Sequence, residues 1–122
     1  MILIDSSSWI EALRESGKAE VRKRVEGLLA AGNAAWCDPV RLELWNGARG
    51  QQERKALAQL EKTVPLLPVD DAVWDQAVRL AKSARDAGVT VPAVDLIIVA
   101  CARRHAVDLE HNDRHLTRLQ SL

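Results

Sequence analysis

The chain has 122 residues, 48% hydrophobic and 28% charged, a balance that suits one folded domain with its own core and excludes extensive disorder. Lysine and arginine total 17, as do aspartate and glutamate, so no net field recruits a polyanion and any nucleic-acid contact must rest on local basic patches such as Arg22-Lys23-Arg24 or Arg103-Arg104. Phe and Tyr are absent, which removes the stacking platforms of common single-strand RNA modules and excludes an RNA-recognition motif.

Met1 to Ile4 is an apolar run without polar alternation, the pattern of a central strand in a parallel sheet covered on both faces. It stops at Asp5, which places a carboxylate at the strand's C-terminal end, where open α/β sheets bind ligands. Ser6 to Glu15 carries Trp9, Ile10 and Leu13 at helical spacing, with Ser6 as the expected cap and Gly17 as the stop. A second helix, Lys18 to Ala31, puts Val21, Val25, Leu28 and Leu29 on one face and ends at Gly32-Asn33. Ala34 to Cys37 is a short apolar strand. Asp38 then offers a cap and Pro39 a first helical residue, for a helix from Val40 to about Arg49 in which Glu43 stands at the edge of the apolar stripe.

Gln51 to Lys62 is a further amphipathic helix. Val64 to Val69 is extended, and Pro65 and Pro68 mark it as an edge strand or an irregular connection. Asp70-Asp71 caps the longest helix, which runs to about Ala87 and stops at Gly88. Pro92 opens the next, and Val94 to Ala102 is apolar on every face except at Asp95, so this helix belongs in the interior. Val107 to Leu109 is a weak strand, and Asp113 to Leu122 a last short helix. Strands alternating with helices predict an α/β fold with a parallel sheet of about four strands between helical layers. Cys37 and Cys101 have no framework spacing and read as buried free thiols. No apolar run is long enough to span a membrane and Met1 leads directly into the first strand, so a cytoplasmic protein without membrane contact is expected.

Four acids fall at the sheet's C-terminal edge or at helix beginnings: Asp5, Glu43, Asp95 and Asp113. Each alone reads as a cap or a surface charge. Asp95 is the most demanding, because a carboxylate in an apolar helix faces a desolvation penalty of several kcal/mol, more than the roughly 0.3–1 kcal/mol of a helix-dipole contact. Carboxylates converging without a basic residue between them describe a site for a hard divalent cation, Mg²⁺ or Mn²⁺, and hydrolysis of a phosphodiester is the chemistry such a site performs.

The segments Ile4-Asp5-Ser6-Ser7-Ser8-Trp9-Ile10, Leu42-Glu43-Leu44, Val94-Asp95-Leu96-Ile97-Ile98-Val99-Ala100 and His111-Asn112-Asp113-Arg114-His115-Leu116, in that order, resemble the PIN-domain endoribonucleases and, within them, the VapC-type toxins of type II toxin–antitoxin pairs. The resemblance implies a PIN-like three-layer α/β/α sandwich over residues 1–122, with a central parallel sheet of about four to five strands. It also implies that Asp5, Glu43, Asp95 and Asp113 hold Mg²⁺ or Mn²⁺, that the Ser7 hydroxyl supports Asp5, and that the chain cleaves RNA as a homodimer neutralised by a cognate antitoxin protein. The pattern departs from the family at Glu110, His111 and Leu116, which bears on Asp113, a direct ligand or one acting through water.

Rival readings use fewer residues. Asp5-Ser6-Ser7 alone matches the start of a haloacid-dehalogenase phosphatase, and a receiver domain needs an acidic pair that only Asp70-Asp71 supplies. Cys101, His105, His111 and His115 suggest zinc, but their spacing is not that of a finger, and His105, His111 and His115 are otherwise a helix end and surface residues. A catalytically silent PIN-like binding module is the remaining alternative.

Overall fold

In a computed structural model, which describes residues 1–122, the opening apolar run forms β1 (Ile2–Ile4) at the centre of a parallel sheet. Leu3 and Ile4 point to opposite faces and are both fully buried, so helices cover the sheet on both sides. The chain continues through α1 (Ser6–Leu13) and α2 (Ala19–Ala30) to β2 (Ala34–Ala35), then through α3 (Asp38–Asn46), α4 (Gly50–Thr63), α5 (Asp71–Asp86) and α6 (Ala93–Arg104) to β3 (Asp108–Glu110) and α7 (Arg114–Gln120). The strand order is β2-β1-β3, with Leu3 opposite Ala35 on one side and Leu109 on the other. The chain thus leaves β1 towards one neighbour and returns on the other, and the crevice at such a switch point lies at the C-terminal ends of β1 and β3.

The sheet has three strands rather than four to five. Val64 to Val69 contributes a single parallel bridge, Trp36 to Leu66, in which Trp36 N–H donates to Pro65 O (3.1 Å) and Leu67 N–H donates to Trp36 O (2.8 Å). Pro65 and Pro68 have no N–H to extend the ladder, so the segment is a connection that touches the sheet. Asp38 is not a cap. It is already helical and exposed, pairing with Arg41 at 3.0 Å, and Cys37 holds the cap position.

Gly88 ends α5 at φ +70°, a conformation that Cβ-bearing residues rarely adopt, and Gly17 passes so close to the Glu11 carbonyl that any side chain there would collide with backbone. Asp70 caps α5 as expected, accepting from Val73 N–H at 3.0 Å. The core gathers Trp9 and Trp36, tilted against each other at 5.9 Å, with Leu3, Ile4, Val25, Val40, Leu57 and Ile98. Cys37 and Cys101 are buried in it and unbridged. No helix is long and apolar enough to cross a membrane.

Candidate metal centre

Asp5 keeps the extended backbone of β1, with its N–H donating to Glu110 O across to β3 (2.9 Å), while Ser6 has already entered the helix. The side chain aimed at the free N–H groups of α1 is therefore that of Asp5, and the expected cap at Ser6 is corrected. Asp5 Oδ2 accepts from Ser7 N–H (3.0 Å) and from Ser7 Oγ–H (2.6 Å), which leaves Oδ1 without a protein donor. Ser7 Oγ in turn accepts from Asn112 N–H at 2.9 Å. One hydroxyl thus ties the end of β1 to the loop that follows β3. Ser6 Oγ–H instead donates to Glu43 Oε1 on α3 (3.1 Å).

Asp113 follows β3 as Asp5 follows β1. It caps α7, and its Oδ1 accepts from His115 N–H at 2.7 Å. Its own N–H donates to His111 Nδ1 (3.2 Å), so the His111 proton lies on Nε2 and is donated to Gln120 Oε1 (2.8 Å). Asp95 sits in the first turn of α6, only 8% exposed, and its Oδ2 is fully buried with no hydrogen-bond partner. Buried carboxylate oxygens are ordinarily satisfied, so an orphan is a place where a ligand belongs.

Glu43 and Asp95 each respond to the other acids. Burial is the largest influence pushing the Glu43 carboxyl up; the Ser6 hydrogen bond opposes it, and the charges of Asp5, Asp95 and Asp113 add to it. Asp95 is pushed up to about 6, first by burial and then by Asp113 and Asp5, against the pull of His115 and His111. Lysine and arginine ion pairs lie elsewhere, at Glu53, Glu110, Asp38, Glu61 and Asp70. An orphaned oxygen among uncompensated carboxylates fits a hard divalent cation.

Asp95, Asp113 and His115 form the tightest group, each offering one donor atom within 4.8 Å of the others. His115 had read as a surface residue. Its place in the first turn of α7, whose cap is Asp113, was the available signal, since a ring two residues after a capping acid is held near that acid. The suggested zinc set does not assemble: Cys101 is buried, His105 Nε2–H donates to Pro68 O (2.7 Å), and His111 is engaged with Gln120. Ser8, Arg24 and Glu110 stand out in the sequence only separately, and their meeting in a network that closes the far side of the β1–β3 junction is seen only in the structure. Ser8 Oγ–H donates to Glu110 Oε2, and Arg24 Nε–H donates to Glu110 Oε1, both at 2.7 Å.

Comparison with known proteins agrees with this arrangement. Residues 2–122 match the PIN domain family. The chain is 36% identical to ribonuclease VapC11 of Mycobacterium tuberculosis over 118 residues, covering 93% of this chain and 87% of the relative. Its fold is similar to VapBC2 from Rickettsia felis, solved bound to a DNA fragment from the pair's promoter (TM-score 0.78, 16% identity, 100% of this chain and 96% of that one). It is also similar to VapC20 of Mycobacterium tuberculosis, a Sarcin-Ricin loop cleaving toxin (TM-score 0.71, 23% identity, 97% and 94%). With acids at the C-terminal ends of β1 and β3, and a match running from Ile2 to the last residue, the chain belongs to the PIN-domain family, in its VapC branch.

Proposed function

We propose that this chain, a single PIN domain over residues 1–122, is an Mg²⁺- or Mn²⁺-dependent endoribonuclease acting in the cytoplasm as the growth-inhibiting toxin of a toxin–antitoxin pair. The observation that carries the reading is the buried, unpartnered Asp95 Oδ2 within a cluster of four acids. Asp5, Glu43, Asp95 and Asp113 would hold the ion, which when bound supplies an activated water and neutralises charge on the scissile phosphate. Ser7 orients Asp5 by engaging Oδ2 and leaving Oδ1 free, and Ser6 does the same service at Glu43. VapC11 and VapC20, by their names, are a ribonuclease and a toxin, which supports RNA as the substrate. A homodimer and a cognate antitoxin complete the reading. Exposed Leu42 and Trp74 share an apolar groove with Trp45, Val69 and Ile97, a surface suited to a protein partner.

The test is cleavage of RNA by purified protein with Mg²⁺, with Mn²⁺ and with chelator, alongside Asp5→Asn. Cleavage is expected only with metal and only in the parent; equal cleavage by Asp5→Asn overturns the mechanism. In cells, expression should arrest growth, and co-expression of the neighbouring gene's product should relieve the arrest.

A further inference from the structure

His115 is the one nitrogen donor grouped with the acids of the metal centre. Its Nδ1 lies 3.7 Å from Asp95 Oδ2 and 3.5 Å from Asp113 Oδ1. No hydrogen bond joins the ring to either carboxylate, and Asp95 Oδ2 remains without any partner although it is completely buried. With metal–donor bonds of about 2.1 Å, adjacent donors on an octahedral ion stand about 3.0 Å apart and opposite donors about 4.2 Å apart. Both His115 separations fall within that interval. The spacing is too long for the ring to satisfy Asp95 itself and short enough for small side-chain rotations to bring ring and carboxylates onto one ion.

We propose that His115 Nδ1 is a direct ligand beside Asp95 and Asp113, making the centre a mixed nitrogen–oxygen site that favours a transition-metal dication over Mg²⁺. The inference rests on the metal-dependent reading above and specifies which ion it prefers. Mg²⁺ takes oxygen donors and gives up water reluctantly, whereas imidazole nitrogen suits first-row transition ions. An imidazole that replaces one water therefore adds little for Mg²⁺ and more for Mn²⁺ or its heavier neighbours. The ring is only partly exposed, and its backbone N–H is fixed by the Asp113 cap, so it reaches the site with little freedom to lose.

The cap also makes the test clean. His115 contributes its backbone N–H to Asp113, so His115→Gln removes the nitrogen ligand without removing the helix start. Mn²⁺ serves as the probe, because its electron spin reports directly bonded nitrogen. Pulsed EPR of the Mn²⁺-loaded full chain is expected to show imidazole ¹⁴N coupling that disappears in His115→Gln. In parallel titrations, Mn²⁺ affinity should fall about tenfold or more in the variant, on the scale known for groups that tune metal sites. Mg²⁺ affinity should change less than about threefold, and chelator-treated parent and variant should unfold at the same urea concentration. Mn²⁺ binding without ¹⁴N coupling, or equal losses for the two ions, overturns the role of His115 while leaving the nuclease reading intact. Failure of the parent to bind either ion overturns both.

Discussion

At Glu110, burial alone would push the carboxyl up, but Arg24 and Ser8 each donate to it at 2.7 Å and hold it below the usual carboxylate range. At Asp95, burial acts with the charges of Asp113 and Asp5, no cation pairs closely, and the carboxyl is pushed up to about 6. Both acids are shielded from water. The first is finished by the chain itself and joins β3 to α1 and α2. The second is left incomplete, which destabilises the metal-free fold and so points to a group the chain does not supply. An acid's partners, more than its burial, separate the structural carboxylate from the candidate ligand.

Replacing Asp95 breaks this contrast at its sharper end. Since losing an outer partner of a metal site already costs 10–100-fold, Asp95→Asn should reduce metal-dependent RNA cleavage by about 100-fold or more. The same change should stabilise the metal-free protein at pH 7 by about 1 kcal/mol, a rise in Tm of roughly 3–5 °C, because a buried uncompensated charge is removed. The pH dependence has a definite sign. The folded Asp95 carboxyl titrates near 6 and the unfolded one near its ordinary value of 3.8, so between these limits the folded state binds more protons. Metal-free stability should therefore rise as the pH falls from 7 to 4, by about 2 kcal/mol from this group. Urea unfolding of parent and variant across that range checks it; a parent whose stability is flat in chelator shows that Asp95 is paired after all.

Asp5 and Asp95 were legible because each interrupts an apolar run, and a carboxylate against such a background is visible without coordinates. Glu43 was legible only as a residue at the margin of a stripe. What stayed hidden depends on geometry finer than periodicity. Whether Asp5 or Ser6 caps α1 turns on which residue keeps the strand's backbone angles. The short sheet follows from two prolines whose missing N–H groups end the ladder, and the sequence reading had allowed either outcome for that segment. The Ser8–Glu110–Arg24 network joins residues 102 and 86 positions apart, a pairing that no local pattern encodes. His115 was hidden for a different reason: a polar residue in the first turn of a surface helix looks the same whether it faces water or an acid.

Glu110→Ala tests the finished junction. It leaves the fully buried Ser8 hydroxyl without its acceptor, a loss of about 2 kcal/mol, or roughly 5–10 °C in Tm. The loss should be the same in chelator and in saturating Mg²⁺, with unchanged metal affinity by calorimetry. A weakened metal site in this variant would merge the two regions and remove the distinction drawn between them.

The smallest effect is expected at Arg24, whose side chain is about half exposed. Arg24→Ala leaves Ser8 bonded to Glu110 and removes a pair partly screened by solvent, so about 0.5 kcal/mol should be lost at pH 7 and low salt. The pair holds the Glu110 carboxyl below its unfolded value. Its contribution is therefore complete above pH 4.5 and is lost as the pH falls through the folded value. Parent and variant should differ at pH 7, converge once the pH has fallen through the folded value, and converge also at pH 7 in 1 M salt, where the Debye length is about 3 Å. This acid limb has the opposite sign to the Asp95 limb, so urea midpoints taken in chelator from pH 7 to pH 3 should first climb and then fall, with Arg24→Ala lowering the curve by a constant amount above pH 4.5 and making the fall shallower. A variant that loses the same increment at pH 3 as at pH 7 would show that Arg24 acts by packing on α2 rather than by holding the Glu110 charge.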